Sequence, residues 1–124
     1  MAVMEFIMRF KKMTDTKVCF KENMDRIGNI YLPFQLLDII NIEDEIIVQL
    51  APDKSFFAPG GYTAQFVREK ETEKKVRFAE NLGEKGELGI IYIRKCVLES
   101  MGIRDEIAVR VVPSGKTGGA AFAR

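Results

Sequence analysis

The chain has no histidine and no tryptophan. Without histidine it lacks the usual general base near neutral pH and the commonest zinc ligand, and Ser-His and Cys-His catalytic arrangements are excluded outright. Its two cysteines, Cys19 and Cys96, follow no metal-ligand spacing. Single residues in a strand and in a helix, they read as buried small hydrophobes, so neither a metal nor a cofactor is expected. No apolar run approaches the length that spans a bilayer, and the first ten residues carry Glu5 and Arg9 within their apolar stretch, unlike a signal peptide. The expectation is a cytoplasmic protein with no membrane partner. Net charge is only +1, so any case for nucleic acid has to be local. Two phosphate-loop patterns also fail. Ser114-Gly115-Lys116-Thr117 would need glycine where Arg110 stands, and Gly83, Gly86 and Gly89 lack the dinucleotide-binding spacing.

What the chain does have is a repeat. Residues 28–52 (GNIYLPFQLLDIINIEDEIIVQLAP) return as residues 89–113 (GIIYIRKCVLESMGIRDEIAVRVVP) at an offset of 61 with no gap. Gly28 falls on Gly89, Tyr31 on Tyr92, Leu37 on Leu98, Ile42 on Ile103 and Asp44-Glu45-Ile46 on Asp105-Glu106-Ile107. Upstream, residues 17–23 match residues 75–81 at an offset of 58, and the three extra residues of the second copy fall in the turn at 83–86. Phe6-Ile7 and Phe66-Val67, at an offset of 60, extend the units to about 5–52 and 65–113. Each such unit is a supersecondary element that needs its twin to cover its apolar face.

Each unit reads as a hairpin, a strand, a short helix and a strand. Residues 2–10 and 62–67 form first strands, 11–16 and the charge run 68–74 turns, and 17–20 and 75–78 returning strands. Residues 29–32 and 90–93 have the β-branched and aromatic composition of pleated, buried strands. Pro33 suits the first position of a helix whose apolar Phe34, Leu37 and Ile40 recur at helical spacing, as Val97 and Met101 do in the second copy. Asn41 and Gly102 share one repeat position and favour the left-handed conformation that ends a helix. The runs at 45–50 and 106–111 close each unit as strands. With 124 residues and 47% hydrophobic content, one domain over 1–113 is expected, the repeats joined by 53–64, followed by a flexible tail at 114–124. Within the join, Gly60-Gly61 mark a turn and Phe56-Phe57 are apolar enough to pack over the domain or to mark a partner surface.

The order strand, Gly-x-Ile-x-Leu-Pro, short helix, Asn/Gly-Ile, acidic turn, strand resembles the swapped-hairpin barrels of the AbrB/SpoVT family of DNA-binding domains. With both copies in one polypeptide, it resembles MraZ-like members. The resemblance implies a mainly β fold with two short helices, a single-chain pseudo-two-fold swapped-hairpin (cradle-loop) barrel of two tandem repeats, either a monomeric pseudo-dimer or a homodimer. It also implies a DNA-binding transcriptional regulator rather than an enzyme. Basic residues expected after the motif glycine and mid-helix are replaced here by Asn29, Ile90, Leu37-Asp38 and Leu98-Glu99.

The local basic residues are therefore the candidates for duplex DNA. These are Lys11, Lys12, Lys17, Lys21 and Arg26 in the first unit and Lys75, Arg77, Lys85, Arg94 and Lys95 in the second. Lysine and arginine supply the salt-dependent phosphate attraction, and two equivalent hairpins would suit two half-sites. They are interleaved with Glu22, Asp25, Glu84 and Glu87, so a protein-interaction barrel of an antitoxin-like or adaptor type, having lost DNA binding, is the alternative.

Overall fold

The computed structural model describes residues 3–81 and 87–114. In chain order it contains β1 (Met4–Met13), β2 (Lys17–Glu22), β3 (Ile30–Pro33), α1 (Phe34–Ile39), β4 (Glu45–Ala51), β5 (Tyr62–Glu71), β6 (Lys75–Glu80), β7 (Ile90–Arg94), α2 (Lys95–Met101) and β8 (Glu106–Pro113), with a 3-10 turn at Lys54–Phe56. The eight strands, all antiparallel, form one sheet in the order β3-β2-β1-β4-β8-β5-β6-β7 that curves into a nearly closed barrel. In each half three hairpin-linked strands are followed by a fourth that returns beside the first, which is a Greek key. The helix is what carries that return. The two keys meet along β4 and β8. The ladders keep β1–β4 contiguous and β5–β8 contiguous, where the resemblance implies hairpins exchanged between halves.

The strand order is unchanged when the two halves are exchanged, and so is the register. Met8 pairs with Glu22 and Phe66 with Glu80; Lys17 pairs with Pro33 and Lys75 with Arg94. Both hairpins slip register at one place, leaving Lys11 and Glu69 in equivalent bulges. These pairings set the offset of the first strand at 58, so Met8 and not Phe6 is the counterpart of Phe66. They also lengthen the hairpins. β1 runs on to Met13 and β5 to Glu71, so most of the 68–74 charge run is strand, and the tips shrink to 14–16 and 72–74. The alternating polar residues there sit on exposed ladder, where the pleat leaves both faces in water.

Helix ends follow the repeat. Asn41 (φ +57°) and Gly102 (φ +69°) are both left-handed, and the amides of Ile42 and Ile103 bond back to the carbonyls of Leu37 and Leu98. Pro33 sits one position earlier than expected, extended at the N-cap with ψ 149°. The interior is filled from equivalent positions, among them Phe20 and Phe78, Leu32 and Ile93, Leu37 and Leu98, Ile46 and Ile107, and Val48 and Val109, all buried. The glycine turn of the join is required by space: at Gly61 (φ +73°) a Cβ would lie 2.3 Å from the Val111 carbonyl oxygen. Phe57 is half-buried but Phe56 is exposed, so only Phe57 is partly covered. Cys19 is buried as expected; Cys96 is exposed, because it falls on the outer face of α2. Most of the tail, and the turn at 83–86, lie outside the described residues.

Candidate functional site

The barrel closes at a seam between its two outermost strands, and the candidate site is there. On one side of the seam residues 26–28 lie against β7. The Gly28 amide bonds the Tyr92 carbonyl (2.7 Å), the Arg94 amide bonds the Arg26 carbonyl (2.9 Å), and Ile27 bridges Ile93. Gly28 eases this approach, since a Cβ there would stand 3.1 Å from that of Tyr92 and the neighbour would have to give by a few tenths of an ångström. On the other side the equivalent residues 87–89 do not ladder with β3 among the described residues. The amides of Leu88 and Gly89 turn instead to Glu80 Oε1 (2.7 and 2.9 Å). The chemistry of Pro33 accounts for part of this: it occupies the place of Arg94, and proline has no N–H to donate across the seam.

The open side leaves a cleft of about 870 Å³. It is lined by repeat equivalents from both edges, Lys17 with Lys75, Tyr31 with Tyr92, Asn29 with Ile90 and Gly28 with Gly89, together with Asp25, Thr72 and Leu88. Asp25 is held in the left-handed region (φ +54°), and its carboxylate takes Lys75 Nζ at 3.2 and 3.4 Å.

Two buried carboxylates, which the sequence aligned as Glu22 and Glu80 without indicating a role, shape the chain leading into this seam. Glu22 accepts the amides of Arg26 (2.6 Å) and Met24 (3.2 Å) and the Arg26 guanidinium at 3.0 and 2.7 Å. Burial pushes its pKa up, but the Arg26 side chain and the two amides outweigh that and hold it below the ordinary 4.5. Glu80 accepts the Tyr62 hydroxyl as well as the two amides above, and the same hydroxyl accepts the Glu87 amide at 3.2 Å. Burial first, and the Glu80 carboxylate second, push the Tyr62 pKa up to about 12.

The basic candidates divide into two groups. Arg26 is committed to Glu22 and lies 4.8 Å above the Phe6 ring. Lys75 and Arg94 converge on Asp25, Arg94 Nε also donating to the Asp25 carbonyl at 2.9 Å. Lys95 pairs with Glu71 at 2.7 Å, and with Arg68 nearby holds that carboxylate's pKa below its ordinary value. Arg77 stands 2.7 Å from Glu69. Lys11, Lys12 and Lys21 are exposed and Lys17 half-exposed, and none of the four forms an ion pair among the described residues. Lys85 lies outside the described residues. Of the ten basic residues that the sequence groups, the fold separates the nine described into a carboxylate-paired set of five, mostly around the second hairpin, and four on the first hairpin without an ion pair among the described residues.

The fold and seam define a class of small antiparallel β-barrel built from two Greek-key repeats with a cleft where the repeats meet. No protein-family model matches the chain, and no curated protein matches it. No helix among the described residues is long and apolar enough to cross a membrane.

Proposed function

We propose that the chain is a cytoplasmic, non-enzymatic DNA-binding regulator of the AbrB-like class, contacting duplex DNA through its first hairpin. The observation that carries this reading is the set of lysines on β1 and β2 that have no ion pair among the described residues. Residues 9–26 hold six basic side chains against three acidic ones, a surplus of three in a chain whose net charge is +1. A two-stranded ribbon is of the size that enters a major groove, and lysines free of carboxylates can displace counterions from phosphates. The second hairpin carries Glu69, Glu71 and Glu73, and its Arg68, Lys75 and Arg77 are paired with carboxylates while Lys70 and Lys74 have no ion pair among the described residues, which favours the first hairpin as the main contact. The test is a titration of a mixed-sequence duplex at several salt concentrations. Binding at low salt that weakens linearly in log–log form supports the reading; no binding at the lowest salt ends it.

A second reading, a protein-interaction barrel, is favoured by one surface feature. Ile7, Ile47 and Val112 lie side by side across β1, β4 and β8 on the outer face, with Ile7 49% exposed. An apolar row on the outside of a barrel suits a partner protein better than a phosphate backbone. Stoichiometric retention of a protein partner, lost with Ile7→Glu, would support it over the first.

A further inference from the structure

The seam cleft has a composition that the duplex reading does not use. We propose that it is a binding site for a small aromatic monoanion, taken up between the facing edges of β3 and β7. Its volume, about 870 Å³, is in the range of small-molecule sites, and its lining combines the apolar and aromatic Tyr31, Leu88, Ile90 and Tyr92 with the polar Lys17, Asp25, Asn29, Thr72 and Lys75.

Three features choose the ligand. Tyr31 and Tyr92 come to the cleft from equivalent positions on the two edges, and Ile90 is 39% exposed within it, so a flat apolar body gains contact on both walls. Of the three charged side chains that line it, Lys75 is held by Asp25, whereas Lys17 has no ion pair among the described residues; the cleft therefore carries one uncompensated positive charge. Asn29 also lines the cleft, its side chain hydrogen-bonded to Tyr31. The floor is backbone: a Cβ at Gly89 would meet nothing within 4 Å, so that end is open, while the Gly28 end is closed against Tyr92.

An extended peptide adding to the β3 edge is disfavoured by the same geometry. That strand is four residues long and ends in Pro33, which offers no N–H. The site shares Lys17 with the proposed DNA contact but needs none of Lys11, Lys12 or Lys21.

The test uses three probes with one aromatic body, 2-naphthoate, 2-naphthalenemethanol and 2-naphthylmethylammonium, titrated into the full chain and followed by amide chemical shifts. The expected result is saturable shifts at Gly28, Asn29, Tyr31, Gly89, Ile90 and Tyr92, with the carboxylate binding about three- to tenfold tighter than the alcohol and the ammonium weakest. Lys17→Met should erase the preference for the carboxylate while leaving the alcohol's affinity in place, and Ile90→Asp, on a partly exposed position, should abolish binding of the carboxylate. The proposal is overturned if these amides do not move, if the three probes bind alike, or if Lys17→Met leaves the order unchanged.

Discussion

Gln49 and Arg110 are equivalent residues of the two repeats, and they stand directly opposite each other where β4 pairs with β8. Arg110 donates from its guanidinium to Gln49 Oε1 at 2.8 Å, so a position meets its own counterpart at the junction of the two halves. Because Gln49 and Arg110 pair at the centre of a ladder whose other members also match in register, any rotation relating the halves passes beside this bond. Opposed like charges are avoided at that point, where two arginines would repel each other.

Arg110 reaches further, to the carbonyls of Pro59 and Gly60 at 2.9 Å each, and so fastens the join between repeats to the junction. Arg110→Ala is expected to lower stability by about 2 kcal/mol, because three acceptors lose a charged donor. Gln49→Ala, which loses bonds to Glu5 and Arg110 on an exposed face, should lower it by about 0.5 kcal/mol. Urea unfolding midpoints of both variants and of the double variant measure this. Strict additivity of the two changes would mean that the cross-junction bond contributes nothing.

The Glu22–Arg26 pair predicts an acid response with a definite sign. The folded pKa of Glu22 is lowered, so its contribution to stability is present above about 4.5 and is lost as pH falls through the folded value. Glu22→Gln should remove that part of the acid limb in a plot of unfolding free energy against pH. Arg26→Ala leaves a buried carboxylate with only two amide donors and is expected to cost about 2–3 kcal/mol at neutral pH. An Arg26→Ala protein as stable as the parent would show that this arginine is free for other work.

Much of this was legible in the sequence, and the limits have physical causes. The 61-residue repeat located both helices, and Asn41 and Gly102 marked their ends, because capping is a local property of a few residues. The first strand was placed at an offset of 60 where the ladders give 58. Both are even, so each keeps the same side chains on the inner face, and alternation cannot tell them apart. The pairing of Asp25 with Lys75 and Arg94 joins residues 50 and 69 apart, which only the closed barrel brings together. For the same reason no spacing rule revealed the seam cleft, whose lining comes from both repeats.

Tyr62 gives the alkaline counterpart. Its pKa is raised from 10.0 to about 12, so the stability it contributes is complete below pH 10 and is lost as pH rises through about 12. The unfolded chain ionises first and is favoured in that window. Tyr62→Phe should therefore unfold at a higher pH relative to its own neutral stability, even though it loses the hydroxyl bond to Glu80. Thermal midpoints between pH 9 and 12 for the two proteins provide the check; parallel curves would mean that the hydroxyl titrates as if in water.

The division of the basic residues makes the DNA reading testable one hairpin at a time. Each phosphate contact removed should reduce the slope of log K against log salt by about 0.9. Lys11→Ala with Lys12→Ala takes away two exposed cations that no carboxylate holds among the described residues, so the slope should fall by about 2 in line with that figure. Arg94→Ala with Lys95→Ala removes cations already held by Asp25 and Glu71, and should leave the slope almost unchanged while freeing both carboxylates to repel the duplex. Affinity is expected to fall in both double variants, and the slope is what separates them. If the slope falls as much for the second pair as for the first, the phosphates are met around α2 and the first hairpin is not the binding element.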